Sequence, residues 1–345
     1  MFDALIPDLA QPAGWLPLVF MVLMGVSILA YVILDGYDLG VGILIATATD
    51  DEKDIMISSI GPFWDANETW LVMGVGLLLV AFPHAHGAIM QALYMPVTVM
   101  LIALILRGVA FDFRVKARAD HKGLWNTAFL VGSAGAALAQ GYMLGMLVVG
   151  FERNAGTVLF ALGISVCMAF SYVLLGAGWL LMKTSGELQR KAIGWAKRSL
   201  VFFAAGLLAV SVVTPLMNPR VFERWFTLQS VLGSWPLPLM ATILIGVTYR
   251  ALGRLPLRLD NDNEYGVWVP FGCAVGLFML AFHGLAYSLF PWLILDQMTI
   301  WQAAAAPESL RVILVGVVMV LPIIILYTIF AYRVFHGKTT PLEYY

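Results

Sequence analysis

Residues 61–82 read GPFWDANETWLVMGVGLLLVAF, an apolar run whose mouth carries two carboxylates, Asp65 and Glu68, three residues apart between Trp64 and Trp70. Helical geometry places both acids on one face. The apolar remainder is long enough, with its flanks, to cross a bilayer, for which about 20 residues suffice. Acids at the entrance to such a helix are costly, and their presence asks for a chemical reason.

The surroundings are of the same kind. The 345 residues are 61% hydrophobic and 12% charged, with a mean hydropathy of +0.87, about half the charge of a soluble domain. This composition specifies an all-α polytopic membrane protein. The first apolar run lacks a basic n-region and a small-residue cleavage site, so it reads as a retained span. Nine spans are predicted, at 16–47, 56–82, 87–112, 124–149, 157–182, 199–217, 228–250, 266–290 and 308–335. They form a single integral membrane domain over 1–345, with helices 1–4 over 16–149, helices 5–8 over 157–290 and helix 9 over 308–335. The fourth contains VGSAGAALAQGYMLG (131–145), small residues suited to close helix approach.

Lys and Arg set the orientation. Lys53, Arg114, Lys116, Arg118, Lys122, Lys183, Arg190, Lys191, Lys197, Arg198, Arg250, Arg254, Arg258, Arg333 and Lys338 fall on one side, fifteen in all. Arg153, Arg220, Arg224 and Arg311 fall on the other, and Arg107 lies inside the third span. The asymmetry predicts an N-terminus outside and a C-terminus in the cytoplasm. The polar stretch Lys183 to Arg198 reads as an amphipathic connector on the cytoplasmic surface or a solvated loop. The net charge of −1 gives no reason to expect a nucleic-acid partner.

Charges inside the first three spans stand out. Asp35 and Asp38 share a face of the first, Asp65 and Glu68 open the second, and Arg107 and Asp112 lie in the third. One reading is pairing, Arg107 with one of the acids and the others near interfaces. The other is proton conduction, since buried carboxylates hold protons more readily and can relay them. On position and charge the candidate pathway is Asp65, Glu68, Arg107 and Asp112.

Metal chemistry is weakly supported. His84 and His86 fall in a short loop, and His283 lies within the eighth span, as a core histidine bonded to a neighbouring helix or, less favourably, a haem ligand. Cys167 and Cys273 sit in apolar segments as packing residues. No metal site and no catalytic residue is expected in this chain.

Three stretches, LDGYDLGVG (34–42), GPFWDANETWL (61–71) and LRGVAFDFR (106–114), with the ending AAAAPESL…LPIIILYTIFAYRVFHGK (303–338), resemble subunit II of cytochrome bd-type quinol oxidases, including the cyanide-insensitive branch. The segment LFPWLILDQMTIW (289–301) departs from that pattern. The resemblance implies two four-helix bundles plus one peripheral helix, in a heterodimer with a haem-bearing subunit I of the bacterial inner membrane. Subunit I would hold the haems, b and d or b alone, and take electrons from the quinol pool. Subunit II would stabilise it and complete proton and oxygen access to the haem that reduces dioxygen to water. The resemblance carries the pathway aspartate onto Asp65 and an oxygen-entry tryptophan onto Trp70. A structural quinone, a small accessory subunit and membrane lipids are further expected companions. The alternative from another class is a stand-alone proton-coupled secondary transporter or channel.

Overall fold

A computed structural model of the protein describes residues 6–118, 120–217, 219–226 and 235–339. The beginning of the seventh expected span, 228–234, lies outside the described residues, as do the side chains of Arg220 and Arg224.

The chain is helical almost throughout. Its helices are α1 (Pro12–Leu44), α2 (Asp50–Ile60), α3 (Trp64–Ala81), α4 (Pro83–Ala92), α5 (Tyr94–Lys116), α6 (Lys122–Val148), α7 (Ala155–Lys183), α8 (Gly186–Met217), α9 (Pro219–Phe226), α10 (Pro236–Leu259), α11 (Val269–Leu289), α12 (Ile300–Ala303) and α13 (Pro307–Val334). Two short strands, β1 (Trp292–Ile294) and β2 (Met298–Thr299), pair antiparallel between α11 and α12. Among the described residues eight helices are long and apolar enough to span a membrane, nine when α3 and α4 count as one. The second count equals the nine expected spans and the first falls one short.

Several boundaries differ from expectation, each for a local reason. The second span does not begin at 56: the backbone breaks at Gly61–Phe63, around Pro62, leaving α2 as a separate helix and starting α3 at Trp64. The third does not begin at 87. Pro83 starts α4, bent from α3 by 118°, so His84 and His86 lie on a short helix rather than in a loop. The sixth does not begin at 199, because α8 runs unbroken from Gly186. Its first turns bury Leu188, Gln189, Ala192, Ile193 and Ala196 and expose Arg190 and Lys191, the 3.6-residue period of an amphipathic helix. The expected surface connector is thus the polar start of a spanning helix.

The chain divides into two compact units. The first comprises Met1–Val32, Pro62–Tyr94 and Leu289–His336. Here Gly74 of α3 lies against Ile28 of α1. The Phe63 ring packs on Tyr332 of α13 with centroids 4.6 Å apart, and the Trp301 indole donates to the Gly14 carbonyl at 2.9 Å. The hairpin β1–β2 fills the stretch that departs from the family pattern. Thr299 ends it and caps α12, exchanging hydrogen bonds with Gln302.

The second unit comprises Ile33–Gly61, Met95–Ser288 and Gly337–Tyr345. Its core is the packing of α7 against α6 and α8, with the end of α1 laid on α7. Gly40 and Gly176 make that crossing possible: a Cβ at Gly40 would collide with the Tyr172 carbonyl oxygen, and one at Gly176 would come within 2.5 Å of the Val41 nitrogen. The small residues of α6 act similarly, a Cβ on Gly132 falling 2.6 Å from the Ala103 carbonyl of α5.

Candidate functional site

The spacing that puts Asp35 and Asp38 on one face of α1 aims both into the second unit, where neither is exposed at all. Arg107 of α5 meets Asp35 there, Nη1 to Oδ1 at 2.7 Å, and is itself 2% exposed. A charge pair this deep is held by geometry: removing either partner strands a charge where water cannot reach it. Polar groups continue nearby. Tyr172 of α7, whose ring lies against Gly36, donates to Gln140 of α6 at 2.5 Å, and the buried Ser133 hydroxyl lies against Gly42. A strip of buried charged and hydrogen-bonding groups therefore runs inside a bundle whose core is mostly apolar.

The first unit holds the tryptophan-rich motif. Helix α3 starts at Trp64, so Asp65 falls in its first turn, where the N-terminal end of the helix dipole favours a carboxylate. Asp65 is exposed on the chain's surface and Glu68 is half-buried. Asn67 is wholly buried and accepts from the Tyr332 hydroxyl at 3.1 Å, tying α3 to α13. Trp70 is buried too, and its indole nitrogen meets no partner among the described residues. The motif thus combines a fixed face, Asn67 and Trp70, with an open one, Asp65.

Of the four candidate pathway residues the structure buries one, Arg107, and pairs it with Asp35. Asp112, further along the same helix, is exposed. His283 is exposed and bonds the Met279 carbonyl of its own helix at 2.7 Å, not a neighbouring one. Among the described residues no group of three or more His, Cys, Asp or Glu could hold a metal ion.

Sequence reasoning missed how a second set of charges pairs, at the helix ends of the second unit. Arg114, only 5% exposed, donates to Asn126 of α6 at 2.5 Å and pairs with Asp54 of α2 at 2.8 Å, while Lys122 reaches the same carboxylate at 3.3 Å. Glu52 pairs with Lys191 of α8 at 2.7 Å and accepts from the Thr49 amide at 2.8 Å. Burial pushes the Glu52 carboxyl up, but the Lys191 and Thr49 hydrogen bonds outweigh it and hold the group below its usual range. The signal was present in DDEKD (50–54), whose acids sit in the first turns of α2.

Comparisons with known proteins agree on one relationship. The family model described as cytochrome bd terminal oxidase subunit II matches residues 16–335. Cytochrome bd ubiquinol oxidase subunit 2 of Bacillus subtilis is 26% identical, over 93% of this chain and 96% of its own length. Cytochrome bd-I ubiquinol oxidase subunit 2 of Escherichia coli is 28% identical, over 93% and 94%. A chain of the bd oxidase from Geobacillus thermodenitrificans shares the fold, with a TM-score of 0.75 at 16% identity, covering 93% of this chain and 98% of that one.

Proposed function

Because the chain belongs to the cytochrome bd terminal oxidase subunit II family, we propose that it works as the subunit of a quinol:oxygen oxidoreductase that stabilises a haem-bearing subunit I and supplies it with protons. The observation that carries this reading is Asp65, a carboxylate exposed at the first turn of the apolar helix α3 and backed by the buried Asn67 and Trp70. The haems of the partner supply the redox chemistry, and dioxygen reduced there to water consumes protons.

In this reading the N-terminus lies outside and the C-terminus in the cytoplasm, as the fifteen-to-four distribution of Lys and Arg favours. Asp65 then opens towards the cytoplasm and carries protons to the partner, with Glu68 next to it. Arg107 carries none, because a guanidinium does not release its proton in a protein. It balances Asp35 and fixes the buried acids. Asp112 offers a further carboxylate on the surface of α5, and Trp70 lines the oxygen approach. Quinol oxidised on the outer side releases protons there, so the paired reactions charge the membrane without a pump.

A tagged chain purified from membranes in mild detergent tests the assignment. It should bring down a second membrane subunit with the absorption spectrum of b-type haem, alone or with haem d. A chain that purifies by itself and moves solute in liposomes would establish the transporter reading instead.

A further inference from the structure

The helices α8 and α10 pack together in the second unit. The pair Arg190–Asp260, at 2.5 Å, joins the start of α8 to the end of α10 and marks their antiparallel register. From Ser199 to Met217 of α8, and from Pro236 to Tyr249 of α10, there is no charged residue. Arg198 and Arg250 are the side chains at which these apolar stretches give way to charge, with Arg254 one turn beyond Arg250.

Helical geometry brings the three together. At about 1.5 Å per residue, Arg198 stands about 12 Å along α8 from the Arg190–Asp260 pair, and Arg250 and Arg254 about 15 and 9 Å along α10. At about 100° per residue, Arg198 and Arg250 turn by about 80° in opposite senses from that pair, which on facing antiparallel helices is towards the same side. All three are exposed, and among the described residues none is held by an ion pair or hydrogen bond. Beyond them the same side presents Phe202 and Val212 of α8 and Val247 and Ile243 of α10, all exposed.

We propose that this side of the α8–α10 pair is a binding site for an anionic phospholipid, with its phosphate held by Arg198, Arg250 and Arg254 and its acyl chains laid along the apolar strip. The charge complementarity selects the occupant. Guanidinium groups bind phosphate oxygens in a fork geometry, basic groups at the boundary of spanning helices attract anionic lipid, and the uncharged strip above suits a hydrocarbon chain. The site requires only that α8 and α10 cross the bilayer, so it stands apart from the proton-supply reading, which rests on α3.

Native mass spectrometry of the purified subunit complex, titrated with phosphatidylglycerol or phosphatidylcholine, tests the site. The wild-type complex should retain phosphatidylglycerol in preference to phosphatidylcholine. R198Q/R250Q/R254Q should lower phosphatidylglycerol retention about tenfold or more, while R198K/R250K/R254K, which keeps the charge but not the fork, should fall between the glutamine variant and the wild type. Unchanged retention by the glutamine variant, or equal retention of both lipids by the wild type, overturns the proposal. So does a glutamine variant that sheds a protein component at unchanged lipid content. Should the triple variant fail to assemble, R198Q and R250Q singly should each weaken phosphatidylglycerol binding several-fold, and no loss in either overturns it.

Discussion

Arg107 of α5 and Asp35 of α1 meet at 2.7 Å in the interior of the second unit, the guanidinium 2% and the carboxylate 0% exposed. Two spanning helices far apart in sequence are thereby locked by charges that no solvent screens. Arg107→Met should destabilise the chain by about 3–5 kcal/mol, because Asp35 is left buried without its partner. Adding Asp35→Asn should recover much of the loss. Thermal unfolding of the purified complex measures both; equal instability of the single and double variants would show that the pair is not what binds α1 to α5.

The second charged network should be weaker, because water reaches it. Arg114 is 5% exposed, but its partner Asp54 is 50% exposed. Arg114→Ala, which also orphans Asn126, should cost about 1.5–3 kcal/mol. Asp54→Ala should cost less, about 1–1.5 kcal/mol, because its half-exposed position lets water take over the guanidinium. Unfolding midpoints in detergent give the comparison, and the reverse order would mean that the half-exposed carboxylate anchors α2.

Glu52 gives the network a pH dependence of definite sign. Its folded carboxyl is held below the ordinary value of 4.5, so the folded state binds fewer protons than the unfolded one. Its contribution is therefore fully present above about pH 4.5 and disappears as the pH falls through the folded value. The difference in Tm between wild type and Glu52→Gln should be largest near neutral pH and close in acid. A difference that grows on acidification contradicts the assignment.

Close approach of α1 and α7 makes a further demand. Gly40→Ala drives a methyl into the Tyr172 carbonyl, a backbone atom that cannot rotate away. Overpacking of this kind costs about 1–3 kcal/mol. Gly163→Ala, on α7 with nothing within 4 Å of the added methyl, is the control and should leave Tm unchanged or slightly raised.

What the sequence disclosed and what it withheld divide along physical lines. Hydropathy locates spans because the cost of polar groups in lipid is local, so α1 and α13 were found within a few residues. It does not separate helices from one another: Ile55 to Ile60 is largely apolar, so the predicted span runs on through the Pro62 break. Nor does it register continuity, since the start of α8 is polar yet helical. That Asp35 and Asp38 share a face was legible from their spacing of three. Which acid Arg107 pairs with was not, because α1 and α5 are brought together only by tertiary packing. The ties from α2 to Arg114 and Lys191 are not legible for the same reason, and β1–β2 is too short to leave a period.

Oxygen consumption by an assembled Asp65→Asn complex tests the central claim most directly. Asp65 is exposed and makes no ion pair or hydrogen bond among the described residues, so the variant should assemble with an unaltered haem spectrum. Its quinol-driven turnover should fall about tenfold or more, equivalent to roughly 1.4 kcal/mol in the barrier. Full turnover at normal assembly would contradict the account, and proton supply would then have to be sought along another route.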